Sequence, residues 1–227
     1  MKSTSASMPK TPWLITYGDM VTLLLTFFIL MIVMLNEAEN NIYRFLNLLL
    51  SETEQALNTY VQQTQLGKNI IVQRTTKGVQ LTVSGEYFFD INSADISPEL
   101  RPLLDHIGNT LRHSRLLSTT DDPELQSFAQ ALERAKQVLN IEIRVEGHTD
   151  NWPIRGGKYA SNWELSSARA LEVVRYLSNI SGIHEGKFSA LGYGEFRPLT
   201  TNNTTEGRSK NRRVEIFIDA DISPINQ

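Results

Sequence analysis

Cysteine is absent from the 227 residues, so neither disulfides nor thiolate metal sites are available. Charge of one sign is also missing: 22 Lys and Arg against 25 Asp and Glu leave a net charge of −3. Both signs are dispersed, which gives no general attraction for nucleic acid. No internal repeat or low-complexity tract breaks the pattern. Long apolar runs are lacking too, with a single exception. That exception, Trp13 to Leu35, holds 23 residues, almost all apolar, and one carboxylate, Asp19. The composition describes a polar domain joined to one membrane-spanning segment.

The run has the usual length for one bilayer crossing. Residues 1–12 form a short polar lead, with Lys2 and Lys10 and no acid in the first ten positions. The far flank opens instead with Glu37 and Glu39. Positive charge on the short flank predicts a cytoplasmic N-terminus and an external C-terminal domain. A cleavable signal peptide is disfavoured by the length of the run, by its lack of a small-x-small site and by Asp19.

A carboxyl group inside such a span costs roughly 2.5–3.5 kcal/mol on insertion scales, so it marks an ion-handling position. On a helix, Thr16, Asp19, Thr22 and Thr26 fall within an arc of about 120°. Such a stripe faces protein rather than lipid, and one helix cannot form a path alone, which predicts a partner with several membrane helices. Two plainer roles stay open for Asp19: gluing helices together, or snorkelling to the interface from roughly 9 Å inside it.

Residues 36–78 read as a connector. Ile42, Phe45, Leu46, Leu49, Leu50, Thr53 and Leu57 follow helical spacing, either as an extension or self-pairing of the span or as a gate at the membrane. Gly67 marks a helix stop. A folded domain is expected over 79–220, followed by a tail at 221–227. VQLTVSG reads as a strand and is followed by a second short apolar run, YFFDI; Ser97-Pro98-Glu99 reads as a helix start, and Leu100, Leu103, Leu104, Ile107 and Leu111 as its buried stripe. Glu124 to Leu139 and Asn162 to Leu177 read as helices. Ile141 to Glu146, Lys187 to Leu191 and Arg213 to Ile218 read as strands. The predicted fold class is a single N-terminal transmembrane helix plus an α/β sandwich of helices on one mixed sheet.

Within this domain, Asp150 ends a strand and Arg169 faces it from a helix. A carboxylate and a guanidinium so placed can hold a zwitterion, one by its ammonium and one by its carboxylate. Backbone N–H groups at the helix start would add donors for an anion. The structural alternative is an ion pair between the two residues or a loop cap. An enzyme reading is weaker, because no Ser or Cys nucleophile is arranged for attack and His148-Thr149-Asp150 lacks the spacing of a known metal motif. Gly192-x-Gly194 lacks the third glycine of a dinucleotide fingerprint.

The segments GHTDN, SNWELSSARA, GYGEFRP and GRSKNRRVEI resemble, in order, an OmpA-like peptidoglycan-binding domain over about Val79 to Ala220. SNWELS and the N-terminal PWLITYGDMVTLLLTFFIL resemble the flagellar stator B subunits of the MotB/PomB family, whose essential Asp matches Asp19. Gly18 stands where that family commonly has Ala. The resemblance implies that Asp19 carries H+ or Na+, with Thr16, Thr22 and Thr26 supporting the path. It implies that Asp150 takes the amine of the peptidoglycan diamino acid and Arg169 its carboxylate. Thr149, Asn162, Leu165, Ser166 and Arg212 would complete that pocket. It further implies a homodimer inside a ring of multi-span A subunits in the bacterial inner membrane, a periplasmic C-terminal domain, no cofactor and no enzymatic role. The connector is shorter than in many flagellar members, and His113 to Leu139 looks like an addition. Zorya-type phage-defence motors use similar B subunits, and a passive wall tether would use the same pocket while giving Asp19 no task.

Overall fold

The computed structural model describes residues 12–64, 69–84, 89, 92–117 and 122–225. The chain divides into two compact units between Arg44 and Phe45, and one helix, α1 (Pro12–Gln63), supplies residues to both. The first unit holds the candidate span, Trp13–Met34, 22 residues with Asp19 as their one charged group. Every side chain from Trp13 to Met34 is exposed. A helix apolar on nearly all sides suits lipid and neighbouring helices rather than water.

The second unit is built on a five-stranded mixed sheet. Its strands are β1 (Ile70–Arg74), β2 (Gly78–Ser84), β3 (Gln137–His148), β4 (Phe188–Gly192) and β5 (Arg213–Pro224), in the spatial order β1-β2-β5-β3-β4. β3 and β4 run parallel and every other neighbouring pair is antiparallel. A parallel pair needs a crossover, here the helix α4 (Asn162–Ser181). Alternation sends Val79, Leu81 and Val83 of β2, Ile143 and Val145 of β3, and Val214, Ile216 and Ile218 of β5 to one buried face.

Helices cover that face. α2 (Arg101–His113) buries Leu103, Leu104, Ile107 and Leu111, and α4 buries Leu165, Ala170, Val173, Val174 and Leu177. α3 (Pro123–Arg134) adds Phe128 and Leu132. Within the same unit, α1 contributes Leu46, Leu49, Leu50 and Leu57, each worth about 1.5–3 kcal/mol when fully buried. The Phe45 ring lies 5.0 Å from Phe128, and Tyr60 stacks on His106 of α2 at 3.8 Å. Arg115 ties the layers together through Glu52 of α1, Asp122 and Glu124.

The expected boundaries move in several places. Residues 70–74, assigned to the connector, are strand β1, and α1 from Phe45 onward packs into the domain, so the domain starts well before residue 79. The helix expected to run to Leu139 stops at Arg134, where Lys136 adopts a left-handed backbone (φ 53°). β3 starts at Gln137 because the far end of β5, up to Pro224, pairs with it. Residues 221–224, expected in the tail, belong to that pairing. Ser97 starts a turn rather than the helix, accepting the Leu100 N–H through its carbonyl before α2 begins at Arg101. Gly67 and most of the YFFDI run lie outside the described residues.

Candidate functional site

The β3–β5 ladder pairs His148 with Arg213 as its last step at this end. Thr149 and Asp150 on one strand and Arg212 on the other therefore leave the sheet together. Asp150 is 8% exposed, and its Oδ2 accepts from Arg212 Nη1 at 2.7 Å. Its Oδ1 accepts the Trp152 N–H at 3.1 Å. Arg169 projects from α4, is 7% exposed, donates through Nε to the Ser93 carbonyl at 2.9 Å and lies 4.9 Å from the Phe89 ring. Burial pushes its guanidinium down to about 10, Arg212 pushes the same way, and Asp150 opposes them. The three charged groups are thus close enough to sense one another. Thr149 is buried beside them, with its N–H bound to the Gly194 carbonyl and its hydroxyl lacking a hydrogen-bond partner.

Close backbone approach sets this geometry. A Cβ on Gly147 would lie 2.1 Å from the Ser166 carbonyl oxygen, so only glycine lets α4 press on the end of β3. Ser161 caps α4 by accepting the Glu164 N–H, and Glu164 Oε2 in turn accepts the Ala160 N–H at 2.7 Å. That N–H of the helix start, expected to serve an anion, is taken by Ser161. Asn162 Nδ2 reaches the carbonyls of Asp150 and Trp152 and Oε2 of Glu195, holding two loops together. Leu165 and Ser166, expected to help complete the pocket, are core residues. Ser166 is fully buried and accepts the Gly194 N–H at 2.9 Å. They position the site from beneath.

Two features escaped the sequence reading. Asn211, at the end of the short helix α5 (Thr205–Asn211), is fully buried. Its Oδ1 accepts from Leu199 and Thr200 N–H, and its Nδ2 donates to the Thr200 carbonyl and Asn202 Oδ1. It fixes the loop that leads into Arg212. The second is a buried polar cluster of Glu146, His148, Arg213 and Glu215 on the opposite face of the sheet from the helices. The G-x-x-x-N-R-R-V-E-I segment was the available signal for both, with two of the cluster's members inside it.

In the first unit, the stripe residues sit on one continuous helix. Thr16, Thr22 and Thr26 each donate the hydroxyl proton to the carbonyl three residues back, Trp13, Asp19 and Leu23, at 2.8–2.9 Å. The hydroxyl protons are occupied, which leaves the oxygen lone pairs as what the stripe offers beside Asp19.

Fold and site together define a class: a domain of OmpA-like α/β architecture preceded, among the described residues, by one apolar helix long enough to cross a membrane. Residues 112–212 match the OmpA family, and residues 2–47 match a family described as membrane MotB of the proton-channel complex MotA/MotB. The chain is thus MotB-like, with an OmpA-like C-terminal domain. It is 36% identical over 145 residues to motility protein B of Bacillus subtilis, covering 63% of this chain and 46% of that protein's length. The cell wall anchor of the T6SS from Pseudomonas aeruginosa is 32% identical, with TM-score 0.52, over 68% of this chain and 90% of that one. The periplasmic domain of Helicobacter pylori MotB shares the fold at 24% identity and TM-score 0.51, over 67% of this chain and 82% of the other.

Proposed function

We propose that this chain is the B subunit of an ion-driven motor in the bacterial inner membrane, of the motility type, anchored to peptidoglycan by its C-terminal domain. What carries the reading is the union, in one chain, of a 22-residue apolar span bearing a lone carboxylate with a domain that gathers Asp150, Arg169 and Arg212 at one sheet end. Asp19 is the ion carrier. A proton or sodium ion from outside neutralises it, and release to the cytoplasm restores its charge. One elementary charge crossing about 100 mV supplies about 2.3 kcal/mol, so the motor works by repeated cycles. Alternation between the two states changes how a ring of multi-span A subunits packs against the span, a two-state switch.

At the wall, the Asp150 carboxylate receives the ammonium of the stem peptide's diamino acid, Arg169 takes its carboxylate, and the unpartnered Thr149 hydroxyl supplies a further bond. Two such chains share one A ring. The test expresses the chain with its multi-span partner in cells lacking both. Asp19→Asn abolishes motor output yet leaves the chain retained on sacculi, whereas Asp150→Ala abolishes output and sacculus retention yet leaves the partner bound. Motor output that survives Asp19→Asn removes the ion-carrier role, and retention that survives Asp150→Ala removes the wall site.

A further inference from the structure

Glu146 and His148 lie on the same face of β3, two residues apart, and the register places Glu215 of β5 directly across from Glu146. Two like charges opposite one another across an antiparallel pair repel. Here both are buried, Glu146 at 5% and Glu215 at 6% exposure, with His148 at 2%. His148 Nε2 stands 3.8 Å from Glu146 Oε2 and 4.0 Å from Glu215 Oε1, too far for a hydrogen bond to either. Neither ring nitrogen has a partner. An imidazole so deeply buried and so unsatisfied calls for a ligand between it and the two carboxylates.

The surroundings suit a cation. The donor atoms of the three residues all lie within 4.8 Å of one another. Four-coordinate zinc with bonds of about 2.0–2.2 Å sets its ligands roughly 3.3 Å apart, so modest side-chain movement closes the site. The remaining carboxylate oxygens are already oriented: Glu146 Oε1 is held by Arg144, and Glu215 Oε2 by Gln80 at 2.8 Å. Outer bonds of that kind fix metal-binding carboxylates in place. Arg213 also donates to Glu215 Oε1 at 2.5 Å, and Arg144 is shared with Asp219 at 2.9 Å. Among the described residues, three carboxylates therefore face two guanidiniums across this part of the sheet. A further guanidinium, Arg197, lies over the Tyr193 ring, is exposed and so is largely screened. The Tyr193 ring, 5.4 Å from that of His148, stacks over it.

We propose that Glu146, His148 and Glu215 bind one divalent metal ion of the zinc or manganese class, a mixed imidazole–carboxylate donor set those ions accept. The ion staples β3 to β5 immediately beneath Thr149, Asp150 and Arg212, and so sets the spacing of the groups that emerge there. Sequence spacing alone hides the site, because its third ligand comes from a strand 67 positions further along the chain (Glu215 against His148).

The full chain, purified in detergent through a tag without histidine and stripped with EDTA, is incubated with ZnCl2 or MnCl2 and desalted. Bound metal is then counted by mass spectrometry and the melting temperature recorded. The expected result is about one ion per chain and a melting temperature that rises with free metal, by mass action. Glu215→Gln, which keeps side-chain size, and His148→Asn should each bring bound metal to background and remove the shift. His113→Asn, an exposed histidine, should change neither. Wild-type protein that holds no metal above background overturns the proposal, leaving water between the three side chains. Undiminished binding by Glu215→Gln and His148→Asn overturns it equally.

Discussion

Arg212 Nη1 lies 2.7 Å from Asp150 Oδ2, which makes the residue just before β5 the guardian of the carboxylate two residues beyond β3. The other Asp150 oxygen accepts a backbone N–H, so an incoming ammonium must share the carboxylate with the guanidinium. Removing that charge removes an interaction of about 1.5–3 kcal/mol. Asp150→Asn should therefore weaken binding to purified sacculi by about tenfold or more, with a fall in melting temperature of roughly a few degrees from the weakened Arg212 pair. Binding equal to wild type in a sedimentation assay would show that Asp150 is not the ammonium site.

Gly147 is the contact point between β3 and α4. An alanine there drives its Cβ to 2.1 Å from the Ser166 carbonyl oxygen, backbone that no side-chain rotation relieves. Gly147→Ala should cost about 1–3 kcal/mol in unfolding free energy, read from the urea midpoint. It should also lower sacculus binding, because α4 carries Arg169.

Asn211 satisfies two backbone N–H groups and a carbonyl of the 199–202 loop with one side chain. Asn211→Ala leaves them unpaired at a cost of about 1–3 kcal/mol for each group that water cannot reach. Hydrogen exchange of the Leu199 and Thr200 amides should accelerate selectively, whereas slow amides in β2 should report only the loss of global stability.

His106 carries the pH dependence of the contact between α2 and the domain portion of α1. Burial pushes its imidazole below the ordinary value of 6.5, with a hydrogen bond to the Ala56 backbone working the other way. The unfolded chain therefore takes up the proton first. The stability linked to this group is intact above pH 6.5 and is lost as pH falls through the lowered folded value. His106→Gln should flatten the fall in melting temperature between pH 7 and pH 5 relative to wild type. An unchanged slope would mean that His106 stays as accessible to protons folded as unfolded.

How much of this was legible in the residues follows from the range of the forces involved. The span, the stripe of α2 and the alternation of β2 rest on local periodicity, and each was readable. β1 was missed because Ile70-Ile71-Val72 is a short run whose pairing with β2 is set by a turn at Thr75–Gly78. The first residues of β3 carry helical spacing, and a distant stretch of β5 decides against it. Asp150 and Arg169 were singled out through the motifs around them. The roles of Asn211 and of the Glu146–His148–Glu215 cluster depend on residues brought together by the sheet and by loop closure, which no spacing along the chain displays.

The central claim, that Asp19 carries the ion, is tested most directly by flux. The chain and its multi-span partner are reconstituted into liposomes, a membrane potential is imposed, and proton and sodium entry are followed with pH- and sodium-sensitive dyes. Wild-type complex should pass one of the two ions, and Asp19→Asn should reduce that flux to the rate of empty liposomes while the complex still co-purifies intact. Flux through Asp19→Asn equal to wild type would contradict the account.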